Sequence, residues 1–227
     1  FGPVSSCSTA RTESVDFVNP LIGTRGGFEY GKTLPLAALP FGMTHWTAMT
    51  RESRIGKHPY KFHYTDRIIG FLGTHKPAVW MGDYGQMALM PGTGDIKTSY
   101  EQRGLAFSHS DECSRPYSYS VKLRAGGGES IDVELAPTER SAIFRIQFPR
   151  VEKANIVIEA SRNPHYSGYV RVDSAKNEIT GYNTDLDDEN ISPPLANFRG
   201  YFVIEFDRPI AHYGAWQKDS IHDGAAE

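Results

Sequence analysis

The chain has 227 residues, of which 39% are hydrophobic, 22% charged and 12% aromatic, with a formal net charge of -3. That balance describes a globular chain long enough to bury a core, not a disordered one. Acidic and basic residues are interspersed, which excludes a basic nucleic-acid face, and no apolar run approaches the ~20 residues of a membrane helix.

Residues 1–15 are rich in Ser and Thr and lack periodicity, so they read as a flexible tail. The opening "FGPVSSCSTA" has neither an initiator Met nor the pattern of a signal peptide, and it reads as the start of a processed or trimmed chain. Cys7 and Cys113 are the two cysteines. A secreted protein could pair them, but the place of Cys7 in the tail favours two free thiols. "NIS" at Asn190 fits an N-glycosylation acceptor and points to a secretory history.

Residues 20–95 carry several glycines and prolines, four histidines (His45, His58, His63, His75) and two of the Trp residues, Trp46 and Trp80. Short strands and long aromatic loops are expected here, and long loops on a compact sandwich carry function. From residue 117 onward, alternation dominates. In "YSYSVKL" Tyr117, Tyr119, Val121 and Leu123 share one face; "GGG" at 126–128 turns the chain; "SIDVELA" points Ile131, Val133 and Leu135 inward. "SAIFRIQF" follows as the next strand of a meander, then "NIVIEA", and near the end "YFVIEF" aligns Phe202, Ile204 and Phe206. Period-two runs separated by Gly, Pro and Asn turns predict an all-β fold, an antiparallel β-sandwich over residues 16–227.

Most familiar chemistries find no support. His58 and His63 lack the spacing and companions of a zinc site. "DLDDEN" (185–190) lacks the Gly and terminal Glu of a calcium loop and reads as a solvated acidic loop. "PGTGD" (91–95) has no Lys-Ser/Thr after it and reads as a hairpin turn. There is no G-x-S-x-G element. Asp83 stands among aromatics in "GFLGTHKPAVWMGDYGQMALMP" (70–91), but glycoside hydrolysis needs two carboxylates and none pairs with it in the sequence. A turn-shaping or sugar-binding role suits it better. Trp46 and Trp80 are either core residues or stacking platforms for a sugar ring, with His45 and Thr74-His75 as polar neighbours.

These residues carry a resemblance. "FVNPLIGTRGG" followed by "TLPLAALPFGMTHW" resembles the opening elements of the glycoside hydrolase family 92 exo-α-mannosidases, with Leu36 in place of their Gly. The stretch 70–91 is similar to that family's G-F-S-H-T-H…G-D-Y-G-D loop, departing from it at Leu72-Gly73 and in the middle "KPAVWM". "FSHSDECSRPYSYSVKL" and "GYFVIEFDRPIAHYGAW" resemble two later landmarks, so the likeness runs from residue 16 to about 216.

The resemblance implies an N-terminal β-sandwich, truncated before its last strands or linker, whose parent continues into an (α/α)6 barrel. It implies hydrolysis of terminal α-mannosides with inversion, dependent on Ca2+ held in the barrel, and a secreted or periplasmic location. The catalytic acid, base and calcium ligands would all lie in the barrel, leaving no catalytic or metal-binding residue in this chain. Its loops would wall the sugar pocket with Thr24, Gly26, His45, Trp46, His75, Trp80, Asp83 and Tyr84. The altered "KPAVWM" would sit where sugar beyond the terminal mannose is read. The other readings are a stand-alone carbohydrate-binding β-sandwich and a degenerate homologue with a structural role. Partners would be an α-mannoside glycan and the barrel, not nucleic acid or membrane.

Overall fold

The computed structural model describes residues 7, 13–25, 33–51, 60, 67–75, 83–151, 153–161, 167–185, 196–217 and 220–226. Gly26, His58, His63, Trp80 with the rest of "KPAVWM", and Asn190 lie outside them. The chain forms two compact units, one from Phe1–Gly82 and Ala88–Ile158, the other from Asp83–Met87 and Glu159–Glu227.

The strands in chain order are β1 (His45–Met49), β2 (Arg67–Ile68), β3 (Gly70–Thr74), β4 (Met87–Thr93), β5 (Leu105–Ala106), β6 (Glu112–Arg115), β7 (Ser118–Gly126), β8 (Glu129–Pro137), β9 (Ala142–Gln147) and β10 (Ala154–Glu159). They continue with β11 (Gly168–Asp173), β12 (Glu178–Asn183), β13 (Gly200–Glu205), β14 (Gly214–Gln217) and β15 (Ser220–Asp223). One short helix, α1 (Tyr100–Arg103), follows β4. The fold is all-β and antiparallel, and among the described residues no helix is long and apolar enough to cross a membrane.

The first unit is a sandwich of two sheets. One has the order β1-β3-β4-β10; the other has β2-β5-β7-β8-β9, with β6 on β7. The meander β7-β8-β9 follows from the alternation. Tyr119, Val121 and Leu123 face Leu135, Val133 and Ile131 in register, and all six are buried. Each such side chain taken from water contributes roughly 1.5–3 kcal/mol. Gly126, Gly127 and Gly128 all have positive φ (97°, 61°, 84°), backbone that a side chain would strain, so three glycines in a row close this hairpin. The sheets meet through aromatic edges: Phe144 of β9 lies 4.8 Å from Trp46 of β1 and 6.1 Å from Phe71 of β3, and Phe71 lies 6.2 Å from Tyr119.

Three details differ from the pattern-based expectation. Tyr117 precedes β7 in the tight turn from β6, and its hydroxyl donates to Asp16 at 2.7 Å instead of entering the core. "PGTGD" does turn, at Gly94 with φ 79°, but β4 has β3 and β10 as neighbours and leads on to α1, so no hairpin forms there. Cys7 is joined to Cys113 by a disulfide with a Cα–Cα separation of 5.2 Å. The next described segment is also tied down: Ser14–Phe17 forms a 3-10 turn whose Asp16 accepts from Arg115 at 2.8 Å.

In the second unit, β11-β12-β13 form one sheet and β14-β15 a hairpin. Val172, Ile179 and Ile204 share a face, as do Tyr169, Tyr182 and Tyr201 on the other. Tyr169 stacks on Tyr182 at 5.5 Å, and the Arg199 guanidinium lies 4.6 Å from the centre of the Tyr182 ring.

Candidate functional site

Thr24 closes the turn made by "NPLIGT". Asn19 Oδ1 accepts from Leu21 N at 3.0 Å, and the Thr24 hydroxyl donates to Leu21 O at 2.8 Å. Gly23 supplies the positive φ of 83° between them. An Asx turn followed by Gly and a self-bonding Thr holds its shape without outside help. The Thr24 side chain is buried and engaged in holding that turn.

His45 and Trp46 open β1, opposite Thr74 and Gly73 of β3. Consecutive strand residues point to opposite faces. Trp46 turns into the sandwich, where its ring lies against Phe144 and over Gly73. A Cβ at Gly73 would meet that ring at 3.2 Å. The indole is therefore a core wedge in this fold, not an open stacking surface. His45 faces the other way and is partly exposed, with its Nδ1 buried and lacking a hydrogen-bond partner. His75 follows Thr74 at the exposed end of β3, so the pairing of β1 with β3 brings the two histidines to the same end of this strand pair.

Asp83, Tyr84 and Gly85 belong to the second unit. Asp83 is buried, and its carboxylate accepts from Tyr84 N at 2.8 Å and Gln86 Nε2 at 2.6 Å. The carbonyl of Gln86 accepts from Asn183 Nδ2 at 2.8 Å, and Gly85 N donates to Asp185 O at 3.0 Å. Asp185 in turn accepts from Ser161 Oγ at 2.6 Å. Gly85 and Gly200 pack backbone to backbone, so a Cβ on Gly200 would lie 2.5 Å from Gly85 Cα. This network pins the Asp-Tyr-Gly turn against β12 and the start of β13. Asp83 thus helps to shape a turn. Tyr84 is left outside, its ring edge-on to Phe198 at 5.1 Å and its surface exposed.

One heavily bonded carboxylate among the described residues, Glu112, lies in the "FSHSDECSRPYSYSVKL" landmark but is not singled out there as a site residue. Glu112 in β6 is buried. Its two oxygens lie 2.8 and 2.9 Å from the Tyr60 hydroxyl, and it also accepts from Tyr119 Oη and His109 Nδ1, each at 2.7 Å. Burial and the adjacent Glu112 charge hold both tyrosine hydroxyls above their ordinary titration range. The signal was present in register: Glu112 pairs with Val121, a core position, so its carboxylate had to find donors inside. Among the described residues no group of three or more His, Cys, Asp or Glu could hold a metal. The buried carboxylates Glu112, Asp83 and Asp185 each have the hydrogen-bonding partners given above.

The family model "Glycosyl hydrolase family 92 N-terminal domain" matches residues 17–227. Among solved structures, the chain is similar to the family GH92 inverting mannosidase BT2199 from Bacteroides thetaiotaomicron VPI-5482. The identity is 32% over 95% of this chain and 28% of that one, with a TM-score of 0.81. It is also similar to the family GH92 alpha-mannosidase BT3965 from Bacteroides thetaiotaomicron, at 30% identity over 76% of this chain and 24% of that one, with a TM-score of 0.63. The chain therefore spans about a quarter of the length of the structures it matches. No curated protein matches it by sequence.

Proposed function

Starting from the fact that this chain belongs to glycosyl hydrolase family 92, as an N-terminal domain, we propose that it is the non-catalytic module of an exo-acting, inverting α-mannosidase that removes terminal α-mannosides from glycans. The observation that carries this reading is the match along 95% of the chain to an inverting mannosidase more than three times as long. Inversion requires an acid and a base on opposite sides of the scissile bond, with room for water between. The buried carboxylates described above are occupied in holding the fold, which fits a module that leaves bond cleavage to the rest of its parent.

The module's contribution is to position sugar. Holding one terminal ring in a fixed place lowers the barrier through orientation, and contacts beyond that ring select the leaving group. His45, His75 and Tyr84, partly or fully exposed in their units, are the described residues best suited to such contacts. Gly26 and Trp80 belong to the same proposal on the family likeness alone. Thr24, Asp83 and Trp46 act beneath them by fixing turns and strands. Calcium, on this reading, is held by the remainder of the parent, and chelation followed by calcium repletion of the full-length protein tests that assignment. A secreted or periplasmic location is part of the same proposal, supported by the Cys7–Cys113 disulfide, a bond that persists in oxidising compartments.

The test is a mannose-release assay on α-linked mannobiosides with two samples, the complete parent and this 227-residue chain. The proposal expects release by the parent and none by the chain. No release by the calcium-supplied parent, or turnover by the chain alone, would overturn it.

A further inference from the structure

The β11-β12-β13 sheet of the second unit has one apolar side and one aromatic and charged side. Alternate residues of a strand point to opposite sides. Val170, Val172, Ile179, Phe202 and Ile204 share one side, the set that a core requires. The other side carries three rows set by the register. Tyr169, Tyr182 and Tyr201 form the first; Arg171, Thr180 and Val203 the second; Asp173, Glu178 and Glu205 the third. Tyr201 is 73% exposed and Val203 57%, and Arg171 and Glu205 are exposed with them, so this side is open in its unit.

The tyrosine row grades from packed to open. Tyr169 and Tyr182 stack, with ring centres 5.5 Å apart and planes 26° from parallel. Arg199, which precedes β13 and alternates onto the same side as Tyr201, holds its guanidinium 4.6 Å from the centre of the Tyr182 ring. Tyr201 lies 5.7 Å from Tyr182 but is tilted by 55°, so its ring is not stacked away against its neighbour. A guanidinium carries five N–H donors around its rim, and a position over an aromatic ring fixes that fork without using them. Arg199 makes no hydrogen bond or ion pair among the described residues, so those donors remain available.

An open aromatic face beside a fixed fork of donors is the chemistry that recognises a sugar ring, whose C–H face is apolar and whose rim is hydroxylated. Other ligand classes fit less well. Acids stand beside bases on this side, which disfavours phosphates and nucleic acid. The same charges disfavour a lipid surface and the apolar centre of a protein interface. The ring spacing of 5.5 and 5.7 Å is on the scale of one sugar residue of an extended oligosaccharide.

We propose that this side of β11-β12-β13, centred on Tyr201 and Arg199, binds a neutral oligosaccharide chain. Tyr201 takes the C–H face of a sugar ring, Arg199 donates to its hydroxyls, and the stacked Tyr169 and Tyr182 hold Arg199 in place. The inference rests on the proposed function in naming α-mannan as the glycan. It adds a sugar-binding surface that none of the loop residues named above supplies.

Affinity electrophoresis of the full-length parent in native gels containing soluble α-mannan tests this, with Tyr201→Ala and Arg199→Gln beside the wild type. The expected result is retardation of the wild type and an affinity lowered about fivefold in each variant, with urea midpoints close to wild type. High salt should leave the wild-type retardation in place, because the ligand is neutral. Equal retardation of all three proteins would overturn the site. So would affinity lost only together with a lowered urea midpoint, which would reduce the row to cross-strand packing. An unretarded wild type that runs as a dimer, with Tyr201→Ala running as a monomer, would make a second copy the occupant and overturn the site as well. Mannose release by the wild-type preparation separates this inference from the functional one. Release with retardation that neither variant changes sinks only the surface, and variant-sensitive retardation of an inactive protein sinks only the enzymatic reading.

Discussion

Glu112 has three side-chain donors around one buried carboxylate. In Glu112→Gln one oxygen becomes an amide donor facing groups that are themselves donors, and part of the network is left unsatisfied. Destabilisation of about 2–4 kcal/mol is expected, read as a lowered urea midpoint. The same site sets an alkaline limit. Tyr60 and Tyr119 have folded-state values raised above the ordinary 10.0, both mainly by burial and then by the Glu112 charge. Below pH 10 both folded and unfolded chains keep these protons, so the full stability is present. Above it the unfolded chain releases them first, and stability falls by about 1.4 kcal/mol per pH unit for each tyrosine. Tyr60→Phe should flatten that fall between pH 10 and 11.5; parallel curves for variant and wild type would contradict the assignment. At this scale the sequence was partly legible. The residue types that matter in Asp83, Trp46 and Glu112 were visible, but their partners were not. Only Gly73 opposite Trp46 decides that the indole is a wedge, and only the register of β6 on β7 shows that Glu112 points inward.

Elements were legible where one period dictated them. The strands of the β7-β8-β9 meander could be read from alternation, because each buries one face and neighbours in sequence pair with each other. Assignment of β10 to the sheet of β3 and β4 could not, because it depends on which distant edge receives the returning strand. The disulfide was hidden for the same reason, since it spans 106 residues of sequence. Closing so long a loop restricts the unfolded chain, and Cys7→Ser should cost roughly 4 kcal/mol in a denaturant titration. Unchanged stability would mean the bond does not form in the folded protein. A second prediction concerns the turn at Asp83. In Gly200→Ala the new methyl group would press on the Gly85 backbone, and backbone, unlike a flexible side chain, cannot swing aside. A loss of about 1–3 kcal/mol is expected. Gly94→Ala, where a Cβ meets nothing within 4 Å although φ is 79°, serves as the comparison and should cost about 1 kcal/mol.

Taken whole, the molecule supplies a family 92 N-terminal domain and about a quarter of the length of its structural relatives. On the proposed function the chain is one module of a longer parent. Whether that parent is an inverting α-mannosidase can be read from proton NMR of the first sugar that the full-length protein releases from an α-mannoside. β-Mannose is expected as the initial product, converting to the α anomer only by mutarotation. Initial release of α-mannose, or no mannose at all, would contradict inversion by this enzyme.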